Sequence, residues 1–334
     1  MVAMCLSGMC TMNLRDYMDL LHFNYPFHWV FLMEIGYSLC LPLHCWGKSW
    51  SEAFGHRLSL WVYLLCMILN GTAMLLTYLP IGTLSASTVQ MMRGFRVLIV
   101  WAISIVAKGQ PQERHHVIGV GLTAAGLLIL LCGVALSRRV GSTLAVASCV
   151  CSELFTVAMY LLQERLVKKE ATPPLQLVGL EGILGTITML PVLAVVNAVG
   201  REDTHHAISV VTHDVRLLTV VPIFIIAAWA FEITGVEVSK HGSALARAMV
   251  DVCRSAGIWA VELVLHWVPF ETYKAFGFLF IVAGTLVYNN LVGFQAGSSE
   301  EKLPLKSGLK GSSSTYEESP EDQEAQRPKI KAAK

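Results

Sequence analysis

Ser85-Ala-Ser-Thr-Val-Gln-Met-Met-Arg-Gly-Phe-Arg96 opens a stretch that returns 158 residues later as Ser243-Ala-Leu-Ala-Arg-Ala-Met-Val-Asp-Val-Cys-Arg254. Carried on without a gap, 85–134 matches 243–292 at about 14 of 50 positions. Met91 meets Met249, Arg96 meets Arg254, and Trp101–Ala102 meets Trp259–Ala260. Pro111, Glu113 and Gly119 meet Pro269, Glu271 and Gly277, and Ala125–Gly126 meets Ala283–Gly284. Shared apolar composition accounts for matched Ala and Gly. It does not account for Arg, Trp, Pro and Glu in register, so the chain reads as an internal repeat. An offset that holds about five membrane-length helices gives the two copies opposite orientation.

Outward from this repeat the rest of the chain is equally apolar. Of its 334 residues 54% are hydrophobic and 15% are charged, too few charges for the water-facing surface of a soluble domain. The apolar residues fall in blocks of roughly 20, the length of a bilayer-spanning helix. The predicted spans are 26–47, 58–80, 84–107, 115–137, 141–163, 176–199, 216–237, 242–266 and 272–294. Each must be helical, because lipid offers no partner to an open backbone group. Met1–Asn13 is apolar but short, and reads as the tail of a truncated first helix that stops before Arg15–Asp16. Gly200–Val215 reads as a polar loop. The expected fold is therefore an all-α integral membrane protein, a ten-helix bundle of two five-helix inverted repeats. Residues 1–137 form the first transmembrane repeat, 138–294 the second, and 295–334 a disordered cytosolic tail.

Loop charge orients the bundle. Lys48, Arg57, Lys108, Arg114, Arg165, Lys168, Lys169 and Lys240 lie on one side with the tail. Arg15, Arg138, Arg139, Arg201, Arg216 and Lys274 lie on the other. The excess predicts both termini in the cytosol. The nine cysteines sit almost entirely inside apolar blocks, as small buried side chains rather than a disulfide framework.

An ionisable group inside a span is a functional candidate, because an unpaired charge at mid-bilayer costs several kcal/mol. The candidates are Glu34, Arg93, Arg96, Glu153, Glu181, Glu232, Arg247, Asp251, Arg254 and Glu262. Arg247, Asp251 and Arg254 share one helix face, as do Gln90, Arg93 and Arg96 on the repeat-related helix. Two such faces can meet at the pseudo-symmetry axis. With Asn70, the residues Glu34, Gln90, Arg93, Arg96, Glu181, Glu232, Arg247, Asp251 and Arg254 make the predicted substrate-binding set. The competing reading of the same charges is a set of internal ion pairs that fix helix packing. Gly119, Gly126 and Gly133, with Gly277 and Gly284, form stripes that allow close helix approach and suggest a homodimer contact. His205, His206 and His213 with Asp214 read as a solvated loop before a metal site or pH sensor. A net charge of +1 gives no field for nucleic acid. No Walker loop, zinc-protease motif or serine elbow is present, so no enzyme activity, cofactor or metal is expected.

The stretch Leu84-Ser-Ala-Ser-Thr-Val-Gln-Met-Met-Arg93-Gly resembles the helix 4 signature of the drug/metabolite transporter superfamily. More narrowly, the chain is similar to the F-type members of solute carrier family 35, the nucleotide-sugar-transporter-like group. Leu162-Gln-Glu-Arg, Gly179-Leu-Glu181-Gly, Arg247-Ala-Met-Val-Asp251-Val-Cys-Arg254 and Gly277 through Tyr288–Asn289 carry the resemblance. It implies ten helices in two inverted repeats, cytosolic termini, and an endomembrane location such as Golgi, lysosome or vacuole. The chain departs from the group in its short first helix, and Glu300-Glu-Lys-Leu-Pro-Leu305 only approximates an acidic dileucine sorting signal. The expected function is secondary transport of a polar small molecule, an anionic one included, by alternating access, with Glu34 and Glu181 as candidates for proton coupling. The alternatives are a membrane-embedded enzyme that uses the same acids, or a scaffold of transporter ancestry.

Overall fold

Apolar blocks with no external hydrogen-bond partner close their backbone bonds within themselves, and every regular element among the described residues is a helix. A computed structural model describes residues 1–46, 60–78, 86–108, 114–136, 142–267 and 270–288. The predictions for the tail, for Pro111, Glu113 and Pro269, and for the loop charges Lys48, Arg57, Arg138 and Arg139 lie outside them. The first half comprises α1 (Val2–Leu20), α2 (Pro26–Ser38), α3 (Cys40–Cys45), α4 (Leu60–Tyr78), α5 (Ala86–Met92), α6 (Gly94–Lys108) and α7 (Arg114–Leu136). The second comprises α8 (Ser142–Lys168), α9 (Pro174–Ala198), α10 (Thr204–His213), α11 (Val215–His241), α12 (Ala244–Val264) and α13 (Thr272–Tyr288). Five of these, α4, α7, α8, α9 and α11, are long and apolar enough to cross a membrane by length and composition alone. Only 22% of the α4 window and 44% of the α8 window is buried, so most of each apolar surface faces outward, where a bilayer would meet it.

Which helices pack together reveals the symmetry. The most extensive contact joins α7 to α13, followed by α1 with α11, α4 with α8, and α2 with α9. Exchanging the halves turns the α1–α11 pair into α8–α4, and carries α2–α9 and α7–α13 each onto itself. The glycines fix its sense. A Cβ on Gly119 would lie 2.7 Å from the Gly284 carbonyl oxygen, and one on Gly126 would lie 2.6 Å from that of Gly277. The earlier glycine on α7 meets the later one on α13, so the helices run antiparallel. The 158-residue offset exchanges these two contacts. The repeat is thus visible as an all-α bundle with internal antiparallel helix-pair symmetry.

Several expectations change. The glycine stripes face each other inside the protomer, so the surface assigned to a homodimer is occupied by the chain's own second half. The first helix does not stop at Asn13 but runs through Arg15 and Asp16 to Leu20. Its 19 residues span about 28 Å. The helix continues through its charges because Arg15 finds partners on α2 and on α1 itself. Arg15 lies 4.6 Å over the Trp29 ring and 4.0 Å from the Asp19 carboxylate one turn on. The span predicted at 84–107 divides at Arg93 into α5 and α6, and that at 26–47 divides at Leu39 into α2 and α3.

Gly200–Val215 contains α10, whose N-terminus is capped by the Asp203 carboxylate accepting from the His206 amide at 3.1 Å. Its Ala207, Ile208 and Val211 help line an apolar groove of about 560 Å³. Its position is held by Glu202, which accepts from the Phe27 amide at 3.0 Å and pairs with His28 at 2.8 Å. His206 is taken up by the Tyr25 hydroxyl. Among the described residues no group of three or more His, Cys, Asp or Glu side chains is placed to hold a metal.

Candidate functional site

Helices α6, α8 and α12 meet at the centre of the bundle and exchange charge there. Arg96 donates from Nε to Glu153 Oε2 at 2.6 Å and from Nη1 to the Tyr160 hydroxyl at 2.9 Å. Nη1 also pairs with Asp251 Oδ2. Arg254, the repeat mate of Arg96, reaches the other oxygen of Asp251 at 3.2 Å. Two arginines from opposite halves therefore share one aspartate. Arg254 also donates to the Gly8 carbonyl at 3.4 Å. Only a glycine at that position lets α1 come so close, since a Cβ there would lie 2.2 Å from Arg254 Cδ. Each arginine thus contacts the first helix of the opposite half, Arg96 on α8 and Arg254 on α1.

A second cluster lies alongside. Arg247 donates to Glu232 Oε1 at 2.7 Å and to Gln163 Oε1 at 2.6 Å. Gln163 in turn donates from Nε2 to Glu181 Oε2 at 2.8 Å. Glu34 contributes a third carboxylate. It accepts from Asn70 Nδ2 at a long 3.5 Å, and its Oε2 would lie 2.2 Å from a Cβ on Gly185. Glu34, Glu181 and Glu232 have Arg247 as the guanidinium of their cluster, and all four are buried. The Tyr160 ring joins the two clusters, with the Arg247 guanidinium at 4.0 Å and that of Arg96 at 5.1 Å from its centroid. Its hydroxyl donates to Asp251.

Between the clusters is a cavity of about 90 Å³ whose lining includes Asn70, Thr77, Arg93, Thr156, Glu232 and Asp251. Such a volume holds a few waters, well under the roughly 300–1,000 Å³ of a pocket that holds a small molecule. Arg93 stands where α5 gives way to α6. There, bonds from the Arg93 amide to the Gln90 carbonyl (3.3 Å) and from the Arg96 amide to the Arg93 carbonyl (3.0 Å) span three residues rather than four. Its Nη1 is buried without a hydrogen-bond partner among the described residues.

Of the predicted set, Arg96, Asp251 and Arg254 meet in the first cluster, and Glu34, Asn70, Glu181, Glu232 and Arg247 in the second. Arg93 faces the cavity apart from both. Gln90 is buried but does not line the cavity. The break at Arg93 is why the spacing argument fails for it, since Gln90 belongs to a separate helix. Two central residues were missed, Tyr160 and Gln163. Glu153, Thr156, Tyr160 and Gln163 follow at intervals of three and four along one face of α8. The same spacing rule finds them once uncharged polar side chains are admitted.

Fold and site together define a multi-span membrane protein of transporter-like architecture, whose buried polar network surrounds a central cavity. A crystal structure of a protein 14% identical superposes with a TM-score of 0.57, covering 86% of this chain and 98% of that one, and so shares its fold. The sequence is distantly homologous to solute carrier family 35 member F6. It is 27% identical to the Homo sapiens protein over 245 residues, covering 67% of this chain and 64% of that relative. It is 25% identical to the Mus musculus protein over 294 residues, 80% of this chain and 79% of that one. An uncharacterized protein of Schizosaccharomyces pombe is 21% identical over 235 residues. The alignment with the human protein spans just under two thirds of that relative's length. No family model matches the sequence.

Proposed function

We propose that this chain is a secondary transporter of a polar small molecule, working by alternating access as an F-type member of solute carrier family 35. The observation that carries the reading is the shared aspartate. Asp251 is held by equivalent arginines from the two halves, so the halves are joined at the cavity by charge contacts that rearrange when they rock apart. The cavity's small volume fits a closed state that opens to admit solute. On this reading ten helices form two five-helix inverted repeats, 1–137 and 138–294, with 295–334 as a cytosolic tail. The protein resides in an endomembrane with both termini cytosolic. On this reading it is not an enzyme, which the ion pairs of Glu153, Asp251 and Glu232 with arginines support. The Glu34–Glu181–Glu232 group is the coupling element. Three carboxylates beside one guanidinium leave negative charge that a proton or cation must balance at the bilayer centre.

Purified protein in liposomes loaded with pooled polar metabolites tests this by counterflow. A labelled solute exchanged by the wild type, and lost in Glu181→Gln at unchanged folding, is the expected result. No exchange of any polar solute class by folded protein refutes transport.

A further inference from the structure

The four central arginines are not equivalent. Arg96 is held by Glu153, Tyr160 and Asp251, Arg247 by Glu232 and Gln163, and Arg254 by Asp251 and the Gly8 carbonyl. Arg93 lines the same cavity, yet among the described residues its Nη1 is buried without a hydrogen-bond partner and it forms no ion pair. The pairing around the cavity is correspondingly uneven. Arg93, Arg96 and Arg254 face Glu153 and Asp251, while Glu232 is taken by Arg247. Arg93 is the arginine of this lining that forms no ion pair among the described residues.

The repeat shows where its partner belongs. At the 158-residue offset the mate of Arg93 is Asp251. In the second half that position carries the carboxylate that neutralises two arginines. In the first half it carries a further arginine, at the one point where the helix is interrupted. The α12 helix runs unbroken through Asp251. An interrupted helix at a repeat interface is a feature of transporter ligand sites, and a mid-helix stretch of three-residue turns marks a functional hinge.

We propose that Arg93 is the receptor for a single oxyanionic group, carboxylate or phosphate, on the transported solute, and that this group supplies to the first half the negative charge that Asp251 supplies to the second. The assignment rests on the transporter reading and sharpens it. Arg96 and Arg254, the arginines favoured by the repeat pattern, are positioning residues that hold the two halves on Asp251. The planar guanidinium of Arg93 suits a two-oxygen acceptor. Asn70, Thr77 and Thr156 in the same lining are neutral and suit the hydroxyl or amide groups of the same solute.

The test uses the full chain in lipid nanodiscs, with inorganic phosphate and acetate as probes against chloride at matched ionic strength. Either oxyanion should raise the thermal unfolding midpoint of the wild type in a saturable way. A response to phosphate alone assigns a phosphate ester, and a response to acetate alone a carboxylate; both support the proposal. Arg93→Gln should keep the wild-type midpoint in chloride, because no partner is stranded, while weakening the oxyanion response by about tenfold or more. Arg93→Lys should recover part of it. Arg96→Gln, by contrast, should lower the midpoint in chloride. The proposal is overturned by a wild type that ignores both anions, by an Arg93→Gln response equal to wild type, or by an Arg93→Gln midpoint as low as that of Arg96→Gln. Counterflow separates the two readings. Exchange that survives in Arg93→Gln removes the receptor and leaves the transporter, whereas oxyanion binding without exchange of any solute removes the transporter and leaves the receptor.

Discussion

Arg96 shows how much one side chain does at the centre of this bundle. Removing its charge leaves Glu153 and Asp251 buried with one counter-charge fewer, and breaking a buried pair from one side costs about 3–5 kcal/mol. Arg96→Gln should therefore reduce thermal stability in detergent and protein abundance together, and Glu153→Gln added to it should restore part of both. Tyr160→Phe is the milder case. It deletes a hydroxyl that joins Arg96 to Asp251 but keeps the ring beneath Arg247, so a loss of about 1–3 kcal/mol is expected. Tyr160→Leu, which also removes the cation–ring contact, should cost more. Equal unfolding midpoints for the two Tyr160 variants would contradict the role given to the ring. The sequence exposed Arg96, Asp251 and Arg254 because charge in an apolar span is conspicuous. Tyr160 and Gln163 are uncharged, and only their neighbours reveal what they do.

At the scale of the helix, the glycine stripes and the α10 cap make separate predictions. Gly126→Val pushes a side chain against the Gly277 carbonyl and Ile281, whereas Gly121 on the same helix has nothing within 4 Å of its would-be Cβ. Overpacking of about 1–3 kcal/mol is expected for Gly126→Val and little change for Gly121→Val. Both should leave the oligomeric state as in the wild type. A shift in oligomer size in Gly126→Val without loss of stability would return the stripe to a dimer contact. At the N-terminus of α10, hydrogen bonding by the His206 amide, aided by that of His205, holds the Asp203 carboxyl below the usual aspartate range. A depressed folded pKa means the cap is complete above the unfolded value and is lost only as pH falls through the folded one. Amide exchange at 204–207 should therefore be unchanged between about pH 7 and pH 5 once the intrinsic rate is allowed for. It should be faster at both in Asp203→Ala.

For the whole molecule, the antiparallel pairing of α7 with α13 and the exchange symmetry of the helix contacts describe two halves of opposite sense. Loop charge predicts Ser299–Lys334 in the cytosol and Gly200–Val215 across the membrane from it. Tags in each segment should show opposite protease accessibility in sealed microsomes, with the tail digested and the segment bearing α10 protected. A protected tail would reverse the orientation while leaving the fold as it is. Rocking of the halves should also disturb the Asp251 junction. Reagents that modify a cysteine introduced at Thr156, in the cavity wall, should react faster when counterflow solute is present.

By itself the sequence determined that the chain is helical and crosses a membrane repeatedly, because apolar blocks of bilayer length admit no other backbone solution. It also determined that two related halves exist, and that their arginines and acids are central. These are local or periodic properties, written in runs, spacings and offsets. The tertiary structure decided which charges pair. That choice depends on distances between helices far apart in the chain, so Asp251 could have served Arg247 by spacing yet is shared by Arg96 and Arg254. It decided that α1 continues through Arg15 and Asp16, because a buried charge such as Arg15 is tolerated beside the Trp29 ring that α2 supplies. It turned the glycine stripes inward, since nothing in a helix's own sequence says which neighbour its small residues will meet. And it left Arg93 without an ion pair among the described residues, a fact visible only once each carboxylate lining the cavity has been assigned to another arginine.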